Sequence, residues 1–320
     1  MSPLITLEYV YVLMGALLGT VAIFSLRDKT NPKRYRNAGF WGVYAITFLA
    51  GSHLPNVVNG ILVLGMVAFA SRGSLGAGTP QTTSQEYRET SAQRLGNALF
   101  VLAIVVPVVT LIGTLTLKHV TIGGHPMVDP KQVTLISLAL ATIVALATIM
   151  FVTRPPVTAP LHEARRLLDS VGWAAVLPQL LAALGALFAV AGIGQIVERL
   201  AGQWIAVDNG FMVVMAYTFG MAILTILMGN AFAAFPVLTA GIGLPLIVHH
   251  LHGDPAIMAA IGMLSGFCGT LMTPMAANFN IVPTALLEID EYAVIRVQIP
   301  TALLLLGANT LLMYFLVFRY

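Results

Sequence analysis

Cysteine and charged residues are scarce in this sequence. The single cysteine, Cys268, excludes an intrachain disulfide and a cysteine metal cage, and it lies in a run of small residues, where packing is its expected role. Charged residues make up only 9% of the chain, and the basic pI of about 9.1 comes mostly from loops. The loop at residues 27–36 alone holds five cations. This distribution is typical of loops beside a membrane, so no nucleic-acid partner is expected.

Apolar residues are correspondingly abundant. They make up 58% of the chain, and the mean hydropathy is +0.88. Apolar runs near the ~20 residues that a bilayer requires recur along the sequence, so we expect an all-α, polytopic helical membrane protein with about nine or ten spans. The first run, residues 7–26, has no basic region before it and no small-residue cleavage site after it. It is therefore predicted to be a span and not a signal peptide.

Basic loops orient the first half of the chain, residues 1–170, which we interpret as a transmembrane scaffold. Its five predicted spans are residues 7–26, 38–50, 57–70, 95–117 and 133–152. Arginine and lysine are concentrated in the loops 27–36, 71–94 and 153–170, which are therefore predicted to be cytoplasmic. The N-terminus and the loop 118–132 are then expected outside. The polar segment 71–94 is predicted to be a flexible linker.

The second half, residues 171–320, is interpreted as the transport region and begins with many small residues. Residues 171–198 contain four glycines, with Gln179 near one end and Gln195 near the other. A continuous span accounts for this composition, because small residues let helices pack closely. Glutamine and glycine are poor choices for a lipid-facing helix, however, so we favour a re-entrant hairpin. The last predicted span is 297–318.

Two breaks interrupt the helices that are predicted within residues 209–287. One lies at 229–236, where Gly-Asn is followed by a proline, and the other at 269–280, where Thr-Pro precedes two asparagines. Such breaks are tolerated in lipid only where the freed backbone groups face protein or a water-filled cavity, so they are candidate solute sites. The candidate substrate-binding residues, including two glutamines of the predicted hairpin, are Gly229, Asn230, Ala231, Gly269, Thr270, Thr273, Pro274, Asn278, Asn280, Gln179 and Gln195.

The lack of charge around these breaks limits their chemistry. No lysine or arginine lies between Arg199 and Arg296, and neither break contains a carboxylate or a histidine. Amides, hydroxyls and helix N-termini can hold a small carboxylate, and carbonyls with hydroxyls can hold Na⁺. A proton relay normally requires an intramembrane carboxylate or histidine. We expect no cofactor and no metal centre, with Na⁺ and H⁺ both left open as coupling ions.

Two further patterns raise the question of metal binding or catalysis. His249, His250 and His252 lie next to Asp254, but the Gly-Asp-Pro turn that follows the histidines favours a surface loop over a metal site. Ser265 has no histidine at helical spacing, so a nucleophile with its base is not found at membrane depth. We therefore expect no catalytic residues and no enzymatic activity.

The breaks and the N-terminus carry a resemblance to one bacterial membrane family. The similar stretches are residues 229–245 (GNAFAAFPVLTAGIGLP), 259–283 (AAIGMLSGFCGTLMTPMAANFNIVP), 5–13 (ITLEYVYVL) and 26–28 (LRD). They are similar to the larger membrane subunit of the bacterial 5-oxoproline (pyroglutamate) transporters, a two-subunit family long catalogued as a domain of unknown function. More distantly, a hairpin followed by a broken helix resembles one repeat of the Ion Transporter superfamily.

This resemblance implies a multi-pass protein of the bacterial inner membrane. Such a protein takes up 5-oxoproline as an organic anion, by secondary active transport with alternating access, and pairs with a smaller membrane subunit. Carriers of the superfamily resemble elevators in their motion, and an elevator or a rocking motion both stay open for this chain. Carriers of the superfamily contain two inverted repeats, whereas residues 1–170 offer only a short break near Pro55. The chain therefore provides one of the two repeats that frame a solute site, and we expect a partner subunit to supply the second repeat. Two alternatives stay open: a transporter subunit for another small organic acid, and a non-transporting accessory or channel subunit, since broken helices also line pores.

Overall fold

The computed structural model describes residues 3–71, 75–76, 78, 84–204, 207–276, 279–280, 282–287 and 289–319. The structure is 81% helical, and within these residues the named strands are limited to one short hairpin. Among the described residues, seven helical stretches are long and apolar enough to cross a membrane, and some of them, such as Ala159–Phe188 and Ala231–His250, combine consecutive elements. Two shorter apolar helices, Asn56–Ser71 and Pro255–Leu271, accompany them. The prediction of an all-α membrane protein with many apolar helices is confirmed.

The chain divides into two compact units, Met1–Asp169 and Ser170–Tyr320. The first unit contains, in chain order, α1 (Leu7–Arg27), α2 (Arg34–Ala50), α3 (Asn56–Ser71), α4 (Gln85–Leu95), α5 (Ala98–Thr116), β1 (Thr121–Ile122), β2 (His125–Pro126), α6 (Val133–Thr153) and α7 (Ala159–Val171). Helix α7 ends two residues after the last residue of this unit. Short 3₁₀ turns follow α2, α5 and α7 at Gly51–His53, Leu117–His119 and Gly172–Val176.

The regular elements in the described part of the second unit are all helices. Its elements are α8 (Leu177–Val190), α9 (Ile193–Trp204), α10 (Gly210–Met228), α11 (Ala231–Leu238), a π-helix (Thr239–His250) that continues α11, α12 (Pro255–Leu271), α13 (Val282–Leu287) and α14 (Glu291–Val317). The core of this unit surrounds Tyr217, whose hydroxyl lies 3.1 Å from Oγ1 of Thr239. Met258 and Met313 pack with it and are also fully buried.

Helix α4 lies in the segment that was predicted to be a flexible linker. Its first turn is capped, because the Ser84 hydroxyl accepts a hydrogen bond from the Tyr87 backbone at 3.2 Å. The prediction of a flexible linker was therefore wrong for residues 85–94, because the polar composition of the segment gave no sign of a helix that begins at a serine cap. Residues 72–74, 77 and 79–83 of the predicted linker lie outside the described residues.

The N-terminal segment and the loop between α5 and α6 meet at one end of the first unit. The backbone N–H groups of Leu4 and Ile5 donate to carbonyls of Pro126 and Met127 at 3.0 and 2.9 Å, and Asp129 donates back to Ile5 at 3.1 Å. The sequence predicts that the N-terminus and this loop share a side of the membrane, and their pairing supports a common side. Which side that is stays a prediction.

A buried polar cluster joins two loop segments to helices α2 and α7 at the end of the first unit that carries the basic residues. Arg165 forms ion pairs with Asp28 and, at 3.3 Å, with Asp169. Asn37 donates to Oδ1 of Asp169 at 3.0 Å and to the carbonyl of Gly76 at 2.7 Å. The cluster therefore ties together the loop after α1, helix α2, the segment between α3 and α4, and helix α7. Because each buried charge has a partner, the cluster avoids the free-energy penalty of an isolated buried ion.

Helices α8 and α9 occupy the stretch that was predicted to form a hairpin. The chain bends between them at Gly192, which has φ +72°. A Cβ placed on Gly185 would lie 3.1 Å from Cα of Ala233, and one on Gly194 would lie 2.7 Å from Cβ of Ala240. Helix α8 thus packs against α11, and α9 packs against the π-helix. Whether this segment re-enters the membrane or crosses it stays a prediction.

Candidate solute site at two helix breaks

The first break separates α10 from α11 with two residues. Gly229 has φ +79° and follows the last residue of α10, the position where a left-handed glycine commonly ends a helix. Asn230 is extended, and its Oδ1 accepts a hydrogen bond from the Phe232 backbone at 2.8 Å. Asparagine is among the best N-cap residues, so Gly-Asn both ends one helix and begins the next.

The second break follows α12. The Met272 N–H bonds to the carbonyl of Gly269 at 3.0 Å and closes the last turn. Pro274 cannot continue the helix, because it lacks an N–H group. Residues 273–276 are not helical, Phe279 and Asn280 are π-helical, and residues 277, 278 and 281 lie outside the described residues. The predicted site residue Asn278 is therefore not placed by the structure.

The two breaks are in direct contact. A Cβ on Gly229 would lie 2.7 Å from Cβ of Met275, so the chain approaches closely where only glycine fits. The Thr273 hydroxyl donates to the carbonyl of Ile226 at 3.1 Å, which satisfies a carbonyl in the last turn of α10. The predicted residues Gly229 and Thr273 thus belong to one site.

Asn280 is the most informative side chain of this site, and it is 1% exposed. Its amide nitrogen donates to the carbonyls of Thr270 and Thr273 at 3.2 and 2.6 Å. Both N–H groups are therefore used, and this fixes the orientation of the amide. Its Oδ1 is buried and has no hydrogen-bond partner in the structure. A buried acceptor of this kind attracts a donor or a cation.

Thr225, which the sequence analysis did not select, is a second buried polar residue at the site. Its side chain is fully buried, and its Oγ1 also lacks a hydrogen-bond partner in the structure. A Cβ on Gly266 would lie 3.4 Å from that oxygen, so Thr225 faces α12. Its backbone carbonyl accepts the Gly229 N–H at 2.7 Å, but this bond does not involve the hydroxyl, so no sequence signal identifies Thr225.

Other predicted residues have structural roles in the described contacts. The Thr270 hydroxyl bonds to Gly266 of its own helix at 3.2 Å, so only its backbone carbonyl contributes at the break. A Cβ on Gly269 would meet the backbone of Ala222, and Ala231 packs closely against Gly266. Gly269 and Ala231 therefore allow α10, α11 and α12 to approach each other.

The two glutamines of the candidate set lie on α8 and α9 with exposed side chains. Within the described contacts, Gln195 lies beside Gly192, and a Cβ there would be 3.0 Å from its Oε1. No described hydrogen bond links Gln179 or Gln195 to either break. Their assignment to the site stays a prediction.

The helix ends determine the electrostatics of the breaks. Helices α10 and α12 both end here, at Met228 and Leu271, whereas α11 begins here at Ala231. A helix C-terminus has partial negative charge and a helix N-terminus has partial positive charge. The carbonyl ends of α10 and α12 favour a cation, and the start of α11 favours an anion, although Asn230 already occupies part of that N-terminus.

The histidine cluster is exposed, but it is not confined to a loop. His249 and His250 form the last turn of the π-helix, and only His252 lies beyond it. Nε2 of His250 lies 3.2 Å from Oδ1 of Asp208, and both side chains are exposed. Within the part of the chain that the structure describes, no group of three or more His, Cys, Asp or Glu residues could hold a metal ion.

The chain was also compared with known proteins. The sequence profile of the family described as "Protein of unknown function (DUF979)" matches residues 8–318. Neither the curated proteins nor the solved structures include a significant match to the chain. Because the family match includes both helix breaks and nearly the whole sequence, the chain belongs to the DUF979 family.

Proposed function

We propose that this chain is the larger membrane subunit of a secondary transporter that takes up a small carboxylate, with 5-oxoproline as its substrate. The observation that carries the proposal is the unpaired Oδ1 of Asn280, buried where α10 and α12 end. An unsatisfied buried acceptor costs about 1–3 kcal/mol. A solute or ion that satisfies it recovers that free energy, so the break is suited to a reversible occupant.

The helix ends suit a carboxylate that travels with a cation. Carbonyls at the ends of α10 and α12 favour Na⁺, and the start of α11 favours the carboxylate. The two charges compensate each other within a low-dielectric interior. No ionisable side chain occurs at 225–232, 269–276 or 279–280, so we propose Na⁺ and not H⁺ as the coupling ion.

The choice of 5-oxoproline rests on the resemblance of the breaks to the transporter family. The lactam N–H of 5-oxoproline is a donor of the kind that Oδ1 of Asn280 accepts. Another small organic acid with an N–H or O–H near its carboxylate would satisfy the same groups, and it is the alternative substrate.

A smaller paired membrane subunit is part of the proposal. A carrier site near the midplane is normally framed by broken helices of opposite orientation. The breaks at Gly229 and Thr273 provide one such half in the second unit of this chain. The partner subunit would supply the inverted half, and the assembly would lie in the bacterial inner membrane.

The experiment is to express the chain alone and together with its genomic neighbour in cells that lack their own uptake route. We expect accumulation of labelled 5-oxoproline only with both subunits, and dependence on a Na⁺ gradient. Purification should yield a particle with the mass of the hetero-oligomer. Full uptake by the lone chain, in a particle without a second subunit, would contradict the half-site argument.

Counterflow separates a carrier from a channel, the remaining alternative. Proteoliposomes loaded with unlabelled substrate should accumulate label transiently above equilibrium, because exchange requires an alternating site. Simple equilibration without overshoot would favour a pore lined by the broken helices.

A further inference from the structure

A groove in the first unit lies outside the helix breaks and is unrelated to the proposed transport site. Its volume is about 760 Å³, and its walls come from α4, the end of α6 and α7. This volume falls within the ~300–1,000 Å³ of small-molecule sites. The groove is therefore large enough for a specific ligand.

One wall of the groove is an apolar stripe. Leu146, Ile149 and Met150 lie three and four residues apart and so share one face of α6. Helix α6 is one of the helices long and apolar enough to cross a membrane, and it ends at Thr153. This wall would then lie where the hydrocarbon core of the bilayer meets the headgroups.

The rim of the groove carries one uncompensated positive charge. Glu163 also borders the groove, but its Oε2 is paired with Nε of Arg166 at 2.7 Å. Arg88 is exposed on α4, and none of the ion pairs among the described residues includes it. The ring of His162 is stacked on Phe24 with centroids 5.1 Å apart. This contact fixes the position of His162 where α7 borders the groove.

We propose that this groove binds one anionic phospholipid from the surrounding bilayer. Its phosphate would pair with Arg88, and an acyl chain would run along Leu146, Ile149 and Met150. A free anion would leave the apolar wall exposed to water, and a zwitterionic lipid such as phosphatidylcholine would bring its own ammonium group close to Arg88. An anionic phospholipid satisfies both surfaces, because a guanidinium binds phosphate strongly and the α6 stripe buries hydrocarbon.

The test is native mass spectrometry of the delipidated protein in detergent, titrated with phosphatidylglycerol or phosphatidylcholine. We expect tighter binding of phosphatidylglycerol by the wild type, and about five-fold weaker binding by Arg88→Gln, since one cation near a lipid surface contributes on that order. Arg94→Gln is the matched control, because Arg94 is exposed on the same helix but does not line the groove. It should bind as the wild type does.

A second variant, Ile149→Trp, fills the groove from the apolar wall. It should reduce occupancy by both lipids, with an unchanged elution volume on size exclusion. Equal binding of the two lipids by the wild type, an equal effect of Arg88→Gln and Arg94→Gln, or full occupancy in Ile149→Trp would each overturn the proposal.

Discussion

Asn280 secures the end of α12 with its amide nitrogen and leaves its amide oxygen unpaired. The nitrogen bonds to Thr270 and Thr273, which lie ten and seven residues earlier. Under the proposed function, this arrangement gives one side chain both a structural and a binding role. The two roles predict different effects for different substitutions.

Replacement of Asn280 by alanine should remove both roles. The carbonyls of Thr270 and Thr273 lose this donor, so we expect a loss of about 1–3 kcal/mol in stability together with a loss of 5-oxoproline uptake. Thermal unfolding in detergent and uptake with the partner subunit present would measure the two effects. Asn309→Ala is the control, because it removes only a contact of 3.6 Å to Sγ of Cys268. Wild-type uptake by Asn280→Ala would contradict the assignment.

Asp28 makes the stability of the first unit depend on pH in the acidic range. Burial is the largest influence and opposes ionisation, but hydrogen bonds from Thr30 and Arg165 together hold the pKa of Asp28 below its ordinary value of 3.8. A lowered pKa means that the ionised form stabilises the fold above that value, and that this stabilisation is lost as the pH falls through the folded-state pKa. We therefore expect Tm to fall on acidification below pH 3.8.

Asp28→Asn should lack this part of the pH dependence, as measured by thermal unfolding between neutral pH and pH 3. Asp208→Asn is a matched control, because the side chain of Asp208 is 92% exposed. An unchanged pH profile in Asp28→Asn would show that other carboxylates are responsible for the acid sensitivity.

The sequence located the helix breaks but not the contacts within them. Gly229 and Asn230 could be predicted because a left-handed glycine and an asparagine cap are local features of a chain. The bonds from Thr273 to Ile226 and from Asn280 to Thr270 could not, since they depend on how α10 and α12 meet. Thr225 was missed for the same reason, because a threonine inside an apolar helix has no local sign that its hydroxyl will be unpaired.

At the scale of elements, the close approach of α10 and α12 sets the geometry of both breaks. A Cβ on Gly269 would meet the carbonyl oxygen of Ala222 and lie 2.9 Å from its Cα. Backbone atoms cannot move aside as a flexible side chain can. The end of α12 is therefore held against α10 at a glycine.

Gly269→Ala should separate the two helices and displace the residues that frame the site. We expect a loss of about 1–3 kcal/mol in stability from overpacking and a matching loss of uptake. Gly307→Ala in α14 is the control, since a Cβ there meets nothing within 4 Å. If both variants behave alike in thermal unfolding and uptake, the close approach has no bearing on the site.

The same scale shows where sequence patterns were insufficient. Apolar runs identified α1, α5, α6 and α14 because length and hydropathy are properties of a single segment. The polar segment before α5 gave no such signal, and α4 depends on its serine cap. The π-helix Thr239–His250, which contains Pro245, was read only as part of a broken helix, because a local widening of a helix leaves no apolar period.

At the scale of the whole molecule, the basic loops predict the orientation in the membrane. Labelling of single cysteines in a Cys268→Ala background tests it, with Lys118→Cys and Lys29→Cys at exposed positions on the two predicted sides. We expect an impermeant maleimide to label Lys118→Cys in intact cells and Lys29→Cys only after permeabilisation. The reverse pattern would invert the proposed topology while leaving the helix packing unaffected.

The backbone pairing between Ile5 and residues near Val128 has a consequence for synthesis. A ribosome that adds 5–20 residues per second needs about 6–25 s to make the intervening chain. During that interval α1 to α5 are made while the segment around Ile5 has no partner. The segment around Ile5 is therefore made well before its pairing partner, and a ribosome stalled before residue 128 should carry this segment in a form that proteases can still reach.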